Sequence, residues 1–473
     1  MVVGKILLQG GMVVSGTETK QADVLINGDL IEAVGPDLAD QLQDRDETEV
    51  VDCSGKLLFP GFIDPHTHFQ MQASKCVTAD DFDSGTRAAL AGGTTVILDF
   101  TTQNRGETLM FALERWHRMA DGHCSCDYGF HMSITDWNEE VRSEIPLMTE
   151  NGVTSWKVYM AYPALRISDI EIYEILQAVQ EEGGIVGNHC ENGDLIDAVT
   201  HALREQGKLG TEAHPIAHSR GIESEAVNRY LVIAEEAGTP VNIVHLSTKE
   251  GLEFARKARK RGQTVCIETC PQYFFLDDSL YSLPDFEGAK YVFSPPARKK
   301  EDQDALWEAL ENGEIDTIGT DHCSFNFAVE KRIGEHDFSA IPNGIPGVEH
   351  RPALMYTYAV DTGRISKEAF CRLLSENVAR EYGMYPKKGL IAQGSDADIV
   401  VWDPNAEGVI TAADQTQNVD YTPYEGMKTK GRAEKVYLHG ELAAQDGKVV
   451  KTGLGRYVHR GPADLSFRDK REE

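Results

Sequence analysis

Six side chains in this sequence are of the types that hold metal ions, and their placement is ordered. His66 and His68 stand one residue apart in Phe62-Ile-Asp-Pro-His-Thr-His. Lys157 lies in Ser155-Trp-Lys-Val-Tyr, His189 follows Val186-Gly-Asn, His245 follows Ile243-Val, and Asp321 follows Thr317-Ile-Gly-Thr. A His-x-His pair on an extended strand puts both rings on one face. Taken singly, each residue has a blander role: a lone histidine as a satisfied polar group, an aspartate as a helix cap, a lysine pointing to solvent. What joins them is that each falls in or just after an apolar, β-branched run. A catalytic zinc takes three protein ligands and keeps a position for water. Six candidates are too many for one such ion and suit two divalent ions sharing a bridge. Imidazole and carboxylate ligands fit zinc, with manganese, cobalt or iron as substitutes. The chemistry such a pair performs is hydrolysis by an activated water.

The elements that position these residues follow from the same runs. Apolar stretches recur at about 62–66, 94–100, 128–134, 154–160, 184–189, 241–246, 264–269 and 315–320. Between most of them lie amphipathic segments such as 81–91, 109–120, 170–181, 224–237 and 249–261. Strands alternating with helices give parallel βα units, and eight of them close into a (β/α)8 barrel whose active sites lie at the C-terminal strand ends. The six candidates then converge on one rim from five strands. Both ends of the chain have a different texture. Residues 1–54 consist of short strands and turns, with Asn27-Gly28 marking a hairpin, and similar runs return at 397–404 and 433–442. The expected organisation is a small β-sandwich built from 1–54 and 391–455, a barrel over 55–390, and a polar tail over 456–473 that is loose by default.

Acidic residues outnumber basic ones by 76 to 46, a formal net charge of −30. Nucleic acid and anionic membrane surfaces both select for basic partners, so neither is expected here. The nine cysteines are scattered and odd in number, which favours reduced thiols over a disulfide framework. No secretory leader pattern opens the chain, and no run approaches the ~18 apolar residues of a membrane span. The expected location is the cytoplasm.

Several longer strings resemble the hydantoinase/dihydropyrimidinase branch of the cyclic amidohydrolases. They are Phe59-Pro-Gly-Phe-Ile-Asp-Pro-His-Thr-His, Ser155-Trp-Lys-Val-Tyr-Met-Ala-Tyr, Asn188-His-Cys-Glu-Asn-Gly-Asp, Glu268-Thr-Cys-Pro-Gln-Tyr, Ser294-Pro-Pro-Ala-Arg, Gly319-Thr-Asp-His and Pro342-Asn-Gly-Ile-Pro-Gly-Val-Glu. The resemblance implies a homotetramer (or dimer) that opens small cyclic ureides or imides to N-carbamoyl amino acids. It implies His66, His68 and Asp321 on one metal, His189 and His245 on the other, and Lys157 bridging both as an N6-carboxylysine made with carbon dioxide. It assigns Asp321 as the proton shuttle, Tyr162 as the oxyanion donor, and main-chain groups of Ser294 and Asn343 as the grip on the ring. His322 is expected to support the site rather than to ligate. The remaining histidines are expected at the surface or as caps.

Three rivals stay within reach of these residues. Dihydroorotase-like sequences carry an arginine after His-x-His to hold a substrate carboxylate, whereas Phe69 and Gln70 stand here. Allantoinase chemistry is harder to separate. Non-catalytic, assembly-forming homologues lack parts of the metal set, and this chain has all of it. Two departures from the resemblance bear on substrate: the loop 69–76, expected over the ring's 5-substituent, and His350, where relatives carry an acid after Val-Glu.

Overall fold

The computed structural model describes residues 4–42, 47–73 and 75–469. Among the described residues, eight parallel strands follow the apolar runs of the sequence: Phe62–Thr67, Thr94–Thr102, Asp127–Ser133, Ser155–Tyr159, Ile185–His189, Val241–Ile243, Val265–Thr269 and Thr317–Ile318. Each strand is hydrogen-bonded to the next in chain order. Helices Phe82–Gly92, Leu109–Ala120, Asp169–Glu181, Arg220–Ala237, Lys249–Lys260 and Lys300–Glu311 alternate with them. With helices outside and side chains filling the interior, all residues of the first and third to fifth strands are buried. That is why these strands are apolar runs rather than alternating patterns. The helix borders are chemically marked: an Asp81–Ser84 capping box opens Phe82–Gly92, and Gly93, at φ 98°, closes it.

The barrel closes between its first and last strands, and side chains do much of the joining. The Asp64 carboxylate accepts hydrogen bonds from Thr320 N (3.1 Å) and Thr320 Oγ1 (2.7 Å). The buried Arg351 guanidinium donates to the carbonyls of Ile63 and Ile318, each at 2.8 Å, and to Thr94 Oγ1 at 3.1 Å. His68 N donates to His322 O at 2.8 Å, just beyond the strand ends.

Both termini build a second sheet of nine strands. Leu57–Pro60 is its meeting line, parallel to Lys5–Val14 on one side and antiparallel to Ile399–Val409 on the other. This strand lies three residues past the expected boundary at 54, and Gly61 follows it directly into the barrel. The hairpin at Asn27-Gly28 joins Thr19–Asn27 to Leu30–Gly35, with Gly28 in left-handed backbone at φ 57°. A shared apolar core, including Leu8, Val24, Leu58, Ile399 and Val401, packs the two halves together.

The tail overturns its default. Instead of running free, it packs under the barrel: Gly455 N donates to Cys124 O at 3.1 Å and Val458 N to Tyr128 O at 2.8 Å. Arg460 is fully buried, donating to Ser155 Oγ at 2.7 Å and to the Phe130 carbonyl. Arg468 reaches Asp316 at 2.8 Å. Lys470 and Arg471 lie outside the described residues. All nine cysteines carry free thiols. Among the described residues no helix is long and apolar enough to cross a membrane.

Replacing Arg460 with alanine removes charge-assisted bonds from buried acceptors, so a loss of about 2–3 kcal/mol is expected in urea denaturation. Arg456→Ala removes an exposed pair with Asp29 and is expected to cost less than about 1 kcal/mol. Equal effects would contradict the tail's anchoring role.

Candidate metal centre and substrate cavity

The six sequence candidates meet at the C-terminal rim. His66 and His68 end the first strand, and their Nε2 atoms lie 3.3 and 3.0 Å from Asp321 Oδ1. These three form a group able to hold a metal ion. His189 ends the fifth strand with Nδ1 at 3.0 Å from His245 Nε2. The His66 and His245 rings are 5.4 Å apart, which joins the two sub-clusters. Lys157 points into the barrel from the middle of the fourth strand, its Nζ 4.8 Å from the Phe100 ring centre. Its charge acts on His66, His189, His245 and Asp321 alike. His245 and Asp321 sit two and three residues beyond their short strands, in left-handed backbone at φ 40° and 53°. Tyr162 shares that conformation at φ 65°. Strained non-glycine backbone of this kind gathers where geometry is held for function.

Neighbouring carboxylates set the tautomers. Glu268 Oε1 takes the Nδ1 proton of His66 at 2.6 Å, so the Nε2 lone pair faces Asp321. Glu191 Oε2 takes the Nε2 proton of His189 at 2.8 Å, so the Nδ1 lone pair faces His245. Glu191 Oε1 is held in turn by His218 at 3.0 Å. His66 Nε2, which faces Asp321, is buried without a hydrogen-bond partner. A buried orphan lone pair is costly unless a cation occupies it, so this donor set fits a metal ion. Burial, and after it the Lys157 charge, pushes His66 and His245 well below the ordinary histidine range, which keeps both rings neutral as ligands must be. Burial likewise lowers the Lys157 ammonium and raises the Glu268 carboxyl. Burial opposes ionisation of Asp321 as well, but His66, His68 and Lys157 outweigh it and hold the group down to about 2.

Sequence reasoning missed Glu268 and Glu191 as partners, although both stand inside the strings quoted above. For Glu268 a carboxylate in an apolar strand was the available signal, whereas Glu191 lies two residues past its strand. His322 does not ligate: Nδ1 accepts from Gly347 N (3.0 Å) and Val348 N (3.2 Å), and Nε2 donates to Asp80 (3.0 Å). The surface-or-cap reading fails for His131, His214, His218, His350 and His439, which are all buried. His131 and His214, for example, donate to the Pro65 and Phe293 carbonyls at 2.8 Å.

Above this rim opens a cavity of about 570 Å³. Tyr162 reaches into it with its hydroxyl against Ser294 and Asn343, so the three residues assigned to substrate meet at one wall. Burial raises the Tyr162 pKa and keeps its proton in place. The outer wall is largely apolar, with Met71, Leu165, Ile333 and Ile341, and it includes the small hairpin Gln72–Ala73/Cys76–Val77; Ser74 lies outside the described residues. Phe69 is buried against His322 at 5.3 Å, turned away from the cavity. His350 faces Gln415 and Gln417 and does not line the cavity. A second cleft of about 750 Å³ lies at the opposite end of the barrel, where Arg256, Arg259, Arg380 and Arg468 are each paired with a carboxylate.

A parallel barrel with a His- and Asp-lined metal group at its C-terminal rim defines a metal-dependent hydrolase. The sequence pattern of the amidohydrolase family matches residues 57–450, and the chain belongs to that family, in its hydantoinase/dihydropyrimidinase branch. It is 43% identical over 457 residues to a D-hydantoinase of Geobacillus stearothermophilus, covering 96% of both chains. It is 41% identical over 456 residues to a D-hydantoinase of Streptomyces coelicolor, covering 96% of this chain and 97% of the other. The crystal structure of dihydropyrimidinase from Brevibacillus agri is similar at a TM-score of 0.95 and 42% identity, covering 97% of this chain and 99% of that one.

Glu268→Gln is expected to weaken metal binding about 10–100-fold without unfolding the barrel, because it frees the His66 ring to change tautomer. Metal titration of the apoprotein checks this, and unchanged affinity would remove Glu268 from the centre.

Proposed function

We propose that this chain opens the ring amide of 5-substituted hydantoins and 5,6-dihydropyrimidines, giving N-carbamoyl amino acids, with two divalent ions, preferably zinc, at the rim. The observation that carries the reading is one cavity that joins the His/Asp cluster to Tyr162, Ser294 and Asn343. Its volume of about 570 Å³ leaves room for a substituent beyond the ring. The apolar outer wall favours an apolar one.

His66, His68 and Asp321 would hold one ion and His189 and His245 the other. Lys157, as a carbamate, would bridge them; its buried amine, biased away from ammonium, is the form that adds to carbon dioxide. When bound, the two ions supply an activated water and an electrophile for the ring carbonyl. Main-chain groups at Ser294 and Asn343 hold the imide edge of the ring. The Tyr162 hydroxyl donates to the oxygen that becomes an oxyanion as water adds to the carbonyl carbon. Asp321, ionised at neutral pH, takes the proton of the attacking water. It returns that proton to the ring nitrogen as the carbon–nitrogen bond breaks. The free thiols fit a cytoplasmic enzyme, and assembly into a homotetramer belongs to the same reading.

Asp321→Asn is expected to reduce turnover by ~10²–10⁴-fold while substrate still binds. Near-normal turnover in a metal-loaded variant would place the shuttle elsewhere. Lys157→Ala is expected to lose metal and activity together with the barrel still folded, and intact mass should show one added carbon dioxide in the active wild type. An unmodified amine in an active, metal-loaded enzyme would end the carbamate assignment. A panel of dihydrouracil, 5-substituted hydantoins, allantoin and dihydroorotate tests the substrate class. Dihydroorotate should be poor, because Phe69 offers its carboxylate no cation; preferential turnover of allantoin or dihydroorotate would overturn the reading.

A further inference from the structure

Lys331 is fully buried, and among the described residues no carboxylate pairs with it. A buried ammonium without a counter-ion is expensive, so its partners matter. All three are main-chain carbonyls: Val292 O at 2.8 Å, Pro342 O at 2.8 Å and Gly344 O at 2.7 Å. Three donors meet three acceptors, which requires the ammonium form. Burial pulls its pKa down to about 7, and hydrogen bonds to the three carbonyls favour the protonated form. The carbonyls belong to the two loops that frame the ring pocket. Val292 lies two residues before Ser294, and Pro342 and Gly344 flank Asn343. Gly344 N also donates to Val292 O at 3.0 Å, so that oxygen is where the two loops touch. The turn Lys331–Gly334 is itself pressed on the second loop, since a side chain at Gly334 would lie 2.3 Å from Ile341 N.

We infer that Lys331 is a positioning residue that staples the loops 292–294 and 342–344 into one cradle and thereby sets affinity for the ring substrate. The inference rests on the ring-opening reading for its kinetic consequence, but not for its structural one. Lys331 lies outside the donor set of the metal centre, so its loss should spare metal content. An apolar replacement leaves the Pro342 and Gly344 carbonyls without donors and Val292 O with Gly344 N alone, and the loops should part until water reaches them.

The test uses metal-loaded Lys331→Met and Lys331→Gln. For Lys331→Met, kcat/KM on a hydantoin or dihydrouracil should fall on the order of 10²-fold, mostly through KM, with metal content at the wild-type level. Lys331→Gln keeps two donors and should fall between. Amide hydrogen exchange at Gly344 should quicken in both variants while the barrel strands stay protected. Unchanged exchange and unchanged KM would overturn the inference, as would lost metal or a fall in kcat at constant KM. If Lys331→Met does not fold, Lys331→Gln decides by the same readouts. If the wild type opens none of the ring substrates, the functional reading falls, and exchange at Gly344 still decides the staple.

Discussion

His66 and His68 face Asp321 only because the first barrel strand is joined to the last. Asp64 and Thr320, the two residues whose side chains bond across that seam, are 256 positions apart in sequence. Helix packing alone would bring the strands near each other, but a register error of one residue would turn every ligand to the other face. The seam removes that freedom. Asp64 fixes Thr320 beside the first strand, and Arg351 ties Ile63 to Ile318 from below. These are buried charges spent on alignment. The group able to hold a metal at His66, His68 and Asp321 depends on them, and so does everything arranged around it.

From the seam outward, each layer of the centre orients the one inside it. Inside are imidazoles with directed lone pairs, then Glu268 and Glu191 fixing their protons, then groups such as His218 that satisfy the carboxylates. Asp80 does the same for His322, whose ring in turn holds the loop at Gly347 and Val348. Each shell gives the one inside it a single orientation. The cavity wall follows the same logic with different partners, because its loops are joined by carbonyl–ammonium bonds where the rim uses carboxylates.

Much of this was legible in the sequence because parallel strands buried on both faces must be apolar, so any polar residue within them stands out. That contrast picked out His66, Lys157 and His189, while His68 and His245 stood just past the strand ends, and the eight runs matched the strand count. Asp321 was found by its place after the last run. The tail, Arg351, Lys331 and the buried histidines other than His131, which stands in the third barrel strand, were not found, for one reason. A charged or polar side chain in a loop or helix is exposed unless something distant satisfies it, and the sequence does not name the distant partner. Arg460 is the plainest case, since its acceptors lie on strands some three hundred residues earlier, |i−j| being 305 for Ser155. Glu268 belongs to the first category and was overlooked although it stood in an apolar strand.

The strand Leu57–Pro60 has a consequence for the order in which the molecule can be made. It is synthesised early, with Lys5–Val14 already available for one edge, and its other edge is completed only by Ile399–Val409. Throughout elongation of the barrel, a nascent chain would carry an unsatisfied, fully apolar strand edge next to the half-formed first barrel strand. Such an edge invites pairing with a neighbouring polypeptide on the same messenger. The tail adds a second delay, because the barrel floor around Tyr128 and Ser155 is sealed only when Val458 and Arg460 have left the ribosome. The architecture therefore makes completion of both domains depend on segments synthesised late, and productive yield should be governed by how well the unfinished edge is shielded until then.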